Sequence, residues 1–261
     1  MARIIAITNQ KGGVGKTTTA LSLIGALHKQ GKRVLGIDLD PQGSLGFSVG
    51  LDIENIPTID TVFKGKNTAA EIIAKADICD LLPSNILLST AELELNMPGR
   101  EFLLRNALAP LEASYDFIII DTPPALNVLV VNAYVAAHGL IIPMSPEILS
   151  LLGIAQIRET IETVRRYYNS ELEVLGILLN RYNQRFILNR EVEDLAESIA
   201  SSLNTKVFQT KIHSSVSVAE SPAHGESIIT YDPNSKPAWD FQLLLNEILN
   251  DARGNKEAET I

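Results

Sequence analysis

The sequence predicts an α/β fold in which a doubly wound, mainly parallel sheet carries helices on both faces. Short runs of β-branched and other apolar residues recur along the 261-residue chain, with helical patterns between them. Each run is apolar at successive positions, as expected of a strand buried on both faces of a parallel sheet. A glycine-rich loop joins the first run to the first helix, and in such sheets the ligand loops lie at the carboxyl ends of the strands.

Five strands are predicted from these runs. They are RIIAIT (3–8), RVLGID (33–38), FIIID (117–121), GLIIP (139–143) and LEVLGILL (172–179). The first helix follows the glycine loop and stops at Gly31, and further helical segments span 86–95, 100–112, 146–168, 188–203 and 236–250. We predict a single domain over residues 1–250 and a polar, disordered tail over 251–261.

Composition excludes several classes of protein. The single cysteine, Cys79, rules out an internal disulfide, and the four histidines are too scattered to form a clustered zinc site. The net charge of −9 argues against a broadly basic surface, so any nucleic-acid binding needs a local patch. The first apolar run is too short for a secretion signal, and we expect a cytoplasmic protein. The apolar stretch from Ala125 to Met144 is interrupted by polar residues, so we interpret it as a buried helix and strand.

The loop QKGGVGKTT, residues 10–18, has the residue types of a phosphate-binding loop. Its glycines let backbone N–H groups turn inward at a helix N-terminus, where they can surround phosphate oxygens. The usual pattern has a glycine five positions before Gly15, and Gln10 stands there instead. Lys11 follows it directly. We predict that the nucleotide-binding residues of this loop are Lys11, Gly12, Gly13, Val14, Gly15, Lys16, Thr17 and Thr18.

The polar side chains of the loop and two aspartates predict how a nucleotide would be held. Lys16 would reach the β and γ phosphates, Thr17 would ligate Mg²⁺, and Thr18 would bind a phosphate nearer the base. Asp121 ends a hydrophobic strand, where an aspartate can hold the metal through water. Asp40 lies in the turn DLDPQGS, beside Asp38, and can orient the attacking water. We assign metal binding to Thr17, Asp40 and Asp121.

These motifs resemble those of the ParA/Soj family of deviant Walker A partition ATPases, within the wider group that includes MinD. The residues that carry the resemblance are KGGVGKTT (11–18), DLDPQ (38–42) and DTPP (121–124). Three later stretches are also similar to the family and extend the resemblance over nearly the whole domain. They are IIPMSPEILSLLGI (141–154), ILLNRY (177–182) and VAESPAHGESIITYDPNSKPA (218–238).

The resemblance implies roles for individual residues. Lys11 is the family's signature lysine, which crosses a dimer to the partner's ATP phosphates, so Lys11, Lys16 and Asp40 form the implied catalytic set. Asn180 and Arg181 are implied to lie beside the adenine. Glu147 matches an acidic family position close to the dimer interface.

The resemblance also implies a mechanism. ATP and Mg²⁺ select a closed homodimer, and slow hydrolysis, accelerated by a ParB-like or adaptor partner, dissolves it. Such a switch positions or segregates a plasmid, a chromosome origin or a protein assembly. It is expected on the nucleoid in its ATP state, through non-specific DNA binding.

One segment departs from the family pattern. Family members that bind DNA commonly carry Ile-Pro-Arg-Asn-Val-Arg before the late signature, whereas this chain has IHSSVS at 212–217. Ser214 and Ser217 replace both arginines and His213 replaces the proline. Residues 151–240 contain nine basic and twelve acidic residues, a local net charge of −3, so we expect weakened DNA binding. The remaining candidate contacts are Arg158, Arg165, Arg166, Arg181, Arg185, Arg190, Lys206 and Lys211.

Three other functions use a similar loop. A MinD-like membrane regulator needs a C-terminal amphipathic helix with a basic face, but residues 237–261 are mostly acidic or neutral on their polar side, so no stable membrane association is expected. An iron-protein reductase needs two cysteines per subunit. A metabolic amidoligase, such as dethiobiotin synthetase, would transfer phosphate to a small acid.

Overall fold

The seven strands of this computed structural model form one sheet. The structure describes residues 1–145, 152–182 and 189–258. The strands are β1 Arg3–Ile7, β2 Val34–Asp38, β3 Ala74–Lys75, β4 Asp80–Leu82, β5 Phe117–Asp121, β6 Gly139–Met144 and β7 Glu173–Leu179. Their order is β3-β4-β2-β5-β1-β6-β7, and within the described residues only the β3–β4 pair is antiparallel.

The register of the central strands places three loops at one edge of the sheet. Ile7 of β1 and Asp38 of β2 both pair with Asp121 of β5, so the carboxyl ends of these strands are level. The glycine loop, the turn after β2 and the residues after β5 therefore leave the sheet side by side. This arrangement agrees with the rule for ligand loops in doubly wound sheets.

Helices cover both faces of the sheet. The described α-helices are α1 Lys16–Lys29, α2 Ser44–Ser48, α3 Ile59–Phe63, α4 Leu87–Glu94, α5 Leu103–Leu108, α6 Val128–Ala136, α7 Leu152–Tyr167, α8 Asn189–Ser202, α9 Val216–Glu220, α10 Ile228–Tyr231 and α11 Lys236–Ala258. Along β1, Ile4 and Ala6 join the core under α3 to α8, and Ile5 and Ile7 join the core under α1, α10 and α11. The strand is thus buried on both faces, which confirms the predicted doubly wound fold.

Two strands, β3 and β4, were not predicted from the sequence. β3 and β4 have two and three residues and include Lys75 and Asp80, so they are too short and too polar to show the apolar run that identified the other strands. The helix predicted over 100–112 is also shorter than expected, because α5 ends at Leu108, just before Pro110. Proline lacks the N–H that would continue the helical hydrogen bonds.

The C-terminal segment differs from its prediction. α11 continues to Ala258, so the described part of the supposed disordered tail is helical. Its Asp, Ala, Arg, Lys and Glu residues are tolerated in a helix, and they extend one that is already anchored by buried Leu244, Leu245 and Ile248. The limits of the domain itself stay a prediction. The stretch 125–144 forms α6 and β6, and no helix in the described part of the chain is long and apolar enough to cross a bilayer.

A histidine at the amino edge of the sheet makes folding stability depend on pH. Nδ1 of His138 accepts the backbone N–H of Ile4 at 3.0 Å, and partial burial of the ring lowers the pKa of His138 below its ordinary 6.5. As the pH falls, His138 is therefore protonated at a higher pH in the unfolded chain than in the folded protein. We expect the His138 contribution to stability to be complete above about pH 6.5 and to be lost as the pH falls below it.

The measurement is the melting temperature of His138→Asn against wild type between pH 5 and 8. The Asn Oδ1 can accept the same N–H but does not titrate, so the variant should lose less stability on acidification. His28→Asn is the control, because His28 is exposed in the last turn of α1. Equal pH slopes for wild type and His138→Asn would contradict the prediction.

Candidate active site

The glycine loop forms an open cradle at the N-terminus of α1. Gly13 and Gly15 have φ values of 75° and 93°, which residues with a Cβ rarely adopt. Gly15 is the N-cap of α1, and among the described residues no side chain caps this end, while the first turn contains no acidic residue. The uncapped N–H groups and the positive end of the helix dipole are therefore available to an anion such as phosphate.

Lys16 points back across the loop. Its ammonium group donates to the carbonyl oxygen of Lys11 at 3.1 Å, and the residue is 7% exposed. Burial lowers the pKa of Lys16, while the nearby carboxylates of Asp121 and Asp40 act in the opposite direction. Lys16 is thus a buried cation whose present partner is a neutral oxygen, which phosphate oxygens can replace with a stronger, charge-assisted contact.

Asn9 shapes the loop around the first lysine. Its amide oxygen accepts the backbone N–H of Lys11 at 3.0 Å, and its amide nitrogen donates to the carbonyl of Pro143 at 2.7 Å. Asn9 is buried. It therefore ties the entry of the loop to β6. The sequence pattern did not identify this residue, because the phosphate-loop motif begins after it.

Asp121 has the environment of a metal-binding carboxylate. It is fully buried, and neither of its oxygens has a hydrogen-bond partner among the described residues. Burial raises the pKa of Asp121 well above its usual range, an effect that the Thr17 hydroxyl and the Lys16 ammonium partly oppose. A buried carboxylate without a hydrogen-bond partner costs folding free energy, and a bound cation would lower that cost. Hard oxygen ligands of this kind fit Mg²⁺, so Asp121, Thr17 and Asp40 could hold the ion.

The two aspartates after β2 have different environments. Asp38 is buried and accepts the backbone N–H groups of Asp40, Leu45 and Gly46, so it anchors the turn and the start of α2. Burial and the neighbouring Asp121 raise the pKa of Asp38. In Asp40, Oδ1 accepts the N–H of Gln42 at 3.0 Å, and Oδ2 has no hydrogen-bond partner in the described part of the chain. Asp40 therefore presents an oxygen that can bind water.

A cavity of about 450 Å³ extends from the loop and fits a nucleoside base. Asn180 links the cavity to the loop, since its Nδ2 donates to the carbonyl of Val14 at 2.9 Å. The buried Oδ1 of Asn180 has no partner among the described residues. Arg181, with a φ of 55°, also lines the cavity. The other lining residues are Val14, Gly15, Thr18, Ile212, His213, Ser214, Ser215, Val216, Val218, Ala219 and Phe241.

The segment IHSSVS lines this cavity, a position that the sequence did not predict. From the sequence we interpret residues 212–217 as a weakened DNA-binding segment, whereas the structure places most of them in the wall of this cavity. Tyr182 and His213 form an isolated parallel bridge that brings the segment to the end of β7. No pattern within the segment indicates a base site, because the contact depends on a partner strand about 30 residues away.

Several of the candidate DNA-binding cations are already paired. Lys206 contacts Asp251 at 2.6 Å, Lys211 contacts Glu193, and Arg158 contacts Glu162 at 2.8 Å. Arg165 donates to the carbonyl of Leu172. Arg185, the side chain of Arg190 and Glu147 lie outside the described residues. Pairing reduces the charge that each of these lysines and arginines can offer to a phosphate backbone.

A second cavity, of about 500 Å³, lies at the opposite edge of the sheet, by the amino ends of β2, β4 and β5. Its cations are largely neutralised, since Lys75 contacts Asp80 at 2.5 Å and Arg33 contacts Asp116 at 2.9 Å. Asp80 also accepts the Tyr115 hydroxyl at 2.6 Å. The charged and polar groups in these contacts therefore have partners within the cavity wall. The cavity itself is separate from the phosphate loop.

Comparison with known proteins assigns the chain to a family. Residues 2–174 match the family model described as an AAA domain. The chromosome partitioning protein ParA of Myxococcus xanthus is 38% identical, and the alignment covers 95% of this chain and 88% of that protein. The sporulation initiation inhibitor protein Soj of Bacillus subtilis is also 38% identical, over 95% of this chain and 98% of Soj. The chain belongs to the ParA/Soj family.

A solved structure confirms the fold of this ParA/Soj member. It is described as cobyrinic acid a,c-diamide synthase from Mycobacterium smegmatis with bound ADP and magnesium. The TM-score is 0.85 at 35% sequence identity, and the match covers 98% of this chain and 97% of that one. The predicted family and fold are thus confirmed, while the roles of individual residues stay predictions.

Proposed function

We propose that this protein is an ATP-dependent homodimerising switch that positions or segregates a cargo, and that it binds ATP with Mg²⁺. The observation that carries the proposal is the two-lysine loop. Lys16 is buried and directed into the cradle, whereas Lys11 lies at the surface end, next to the exposed Gly12 and Gly13. A second lysine on the outer side of the loop is suited to the phosphates of a facing subunit.

In this mechanism the loop residues and two aspartates act on the triphosphate. The N–H groups of residues 12–18 bind phosphate oxygens, and Lys16 exchanges its contact with the Lys11 carbonyl for the β and γ phosphates. Asp40 orients water for attack, and Lys11 of each subunit stabilises charge on the other subunit's triphosphate. Mg²⁺, held by Thr17, Asp121 and Asp40, would neutralise charge on the β and γ oxygens.

The experiment that tests the switch is Asp40→Ala. We expect hydrolysis to fall about 100-fold or more, ATP affinity to change less than about threefold, and an ATP-bound dimer to accumulate. Dimer formation is measured by light scattering coupled to size-exclusion chromatography. Asp52→Ala is the matched control, because Asp52 also accepts an N–H two residues along, in an exposed turn. An Asp40→Ala protein that hydrolyses ATP normally, or stays monomeric with ATP, would contradict the proposal.

DNA binding is expected to be weak, dependent on ATP and sensitive to salt. Dimerisation doubles the number of cations presented to the duplex, while the pairing of Lys206 and Lys211 limits their contribution. The measurement is a binding isotherm for random duplex DNA at several salt concentrations with ATP and with ADP. Identical isotherms with the two nucleotides, or the absence of a salt slope, would remove DNA from the proposed function.

The partner and cargo are inferred from the family. A ParB-like protein or a small adaptor is proposed to accelerate hydrolysis. The protein is proposed to be cytoplasmic and to associate with the nucleoid in its ATP-bound form. The relatives named for chromosome partitioning and for sporulation support a positioning role. A MinD-like membrane role is disfavoured, because Leu244, Leu245 and Ile248 of α11 are buried against α1 and the sheet. Sedimentation with anionic liposomes would reverse that choice.

A second function is favoured by one observation, the likeness to the structure described as a diamide synthase. An amidoligase uses ATP to activate a carboxylate, so it would turn over ATP only when its acid substrate and an amine donor are present. The switch would hydrolyse ATP slowly by itself and faster with a partner protein. Steady-state ATP turnover by the purified chain, without any added acid, distinguishes the two.

A further inference from the structure

His213 lines the cavity and contacts Asp240, at a position where the family pattern has a proline. Asp240 is buried near the start of α11, one turn after Lys236. Its Oδ2 accepts the backbone N–H of His213 at 3.0 Å and lies 2.8 Å from the ring Nδ1. Its Oδ1 contacts the ammonium of Lys236 at 3.2 Å. Both carboxylate oxygens are thus used, and the ring is held by a group that does not move freely.

The contact fixes which nitrogen of the ring carries the hydrogen toward Asp240. An ionised carboxylate only accepts, so the hydrogen between the two groups belongs to Nδ1 of His213. In the neutral ring Nε2 is then an acceptor. Nε2 has no hydrogen-bond partner among the described residues, and Tyr182 packs edge-on against the ring, with centroids 5.8 Å apart and planes at 85°. The ring is oriented in advance, as ligand-binding histidines are by their supporting carboxylates.

A second acceptor without a partner is buried behind the wall of the cavity. The Oδ1 of Asn180 is buried without a partner among the described residues, because Nδ2 of that amide is used by the Val14 carbonyl and the Thr19 hydroxyl. Asn180 and His213 both line the cavity. A ring acceptor on an apolar cavity matches a base edge that carries a hydrogen-bond donor. An exocyclic amino group supplies such a donor, whereas a carbonyl at that position supplies none and would meet the acceptor unfavourably.

We propose that His213, held by Asp240, is a base-specificity residue that accepts a hydrogen bond from the exocyclic amino group of the adenine. The proposal rests on the proposed function, since it takes ATP as the ligand. It assigns Asp240 as a positioning residue that fixes the ring without touching the nucleotide.

The test compares three probes, ATP, ITP and inorganic tripolyphosphate, by calorimetry on the full chain. ITP has a carbonyl where ATP has the amino group, and tripolyphosphate has no base. The variant is His213→Asn, whose Nδ2 can keep the contact with Asp240 while Nε2 is lost. We expect the dissociation constant for ATP to rise about tenfold, that for ITP to stay the same or fall, and that for tripolyphosphate to change less than about twofold.

Asp240→Asn should give a smaller loss for ATP alone, since the ring remains but is less firmly oriented. Equal losses for ATP and ITP, a parallel loss for tripolyphosphate, or no loss for ATP in His213→Asn would each overturn the proposal. Failure of wild type to bind ATP would instead reject the proposed function, so the two failures are distinguishable. Melting temperatures check that both variants are folded.

Discussion

Replacing Lys16 with alanine should abolish useful nucleotide binding. The ammonium group is buried in the loop beside Asp121 and Asp40, and its partner without nucleotide is the neutral Lys11 carbonyl. The variant loses charge-assisted contacts to two phosphates, each worth about 1.5 to 3 kcal/mol, so the affinity for ATP should fall about 100-fold or more. It also leaves two carboxylates without their nearby cation, which further disfavours a polyanionic ligand.

Titration with a fluorescent ATP analogue measures this effect. Lys29→Ala is the matched control, because Lys29 ends the same helix and its ammonium donates to Gln242 on the surface. The control should bind ATP as wild type does. A Lys16→Ala protein that keeps its affinity within about threefold would show that the cradle N–H groups alone hold the phosphates.

Replacing Lys11 with alanine should separate ATP binding from dimerisation. If Lys11 serves the partner's triphosphate, a two-fold symmetric dimer contains the contact twice, so one substitution removes both copies. At about 1.5 kcal/mol or more per charge-assisted contact, the dimer should weaken about 100-fold or more. Affinity of the monomer for ATP should change little, because the backbone of residue 11, which contacts Asn9 and Lys16, is unaltered.

The dimer is measured with ATP in the Asp40→Ala background, where hydrolysis does not deplete it. Lys32→Ala is the control, because Lys32 is exposed at the amino end of the sheet, away from the loop. Dimerisation of Lys11→Ala as strong as that of its parent would refute the cross-subunit role. Reduced ATP affinity without a change in dimerisation would place Lys11 in its own subunit's site.

The fold was predictable because the strands are marked by a local property. A strand buried on both faces is apolar at successive positions, and this signal found β1, β2, β5, β6 and β7. β3 and β4 carry too few residues for any periodicity. The continuation of α11 beyond residue 250 could not be read from polarity alone, since solvent-exposed turns of an anchored helix have the same composition as a disordered tail.

By itself the sequence determined the phosphate cradle, because three glycines, two lysines and two hydroxyls stand within nine adjacent residues, directly after a strand pattern. Tertiary structure alone decided which of the other site residues meet and how deeply they are buried. Asn180 reaches the loop across 166 residues, and His213 meets Asp240 across 27. Burial determines the chemistry of such contacts: it leaves Asp121 and Asn180 with unpartnered oxygens in the described structure and fixes His213 on a carboxylate. Because burial depends on the whole sheet and its helices, it has no local signature in the sequence.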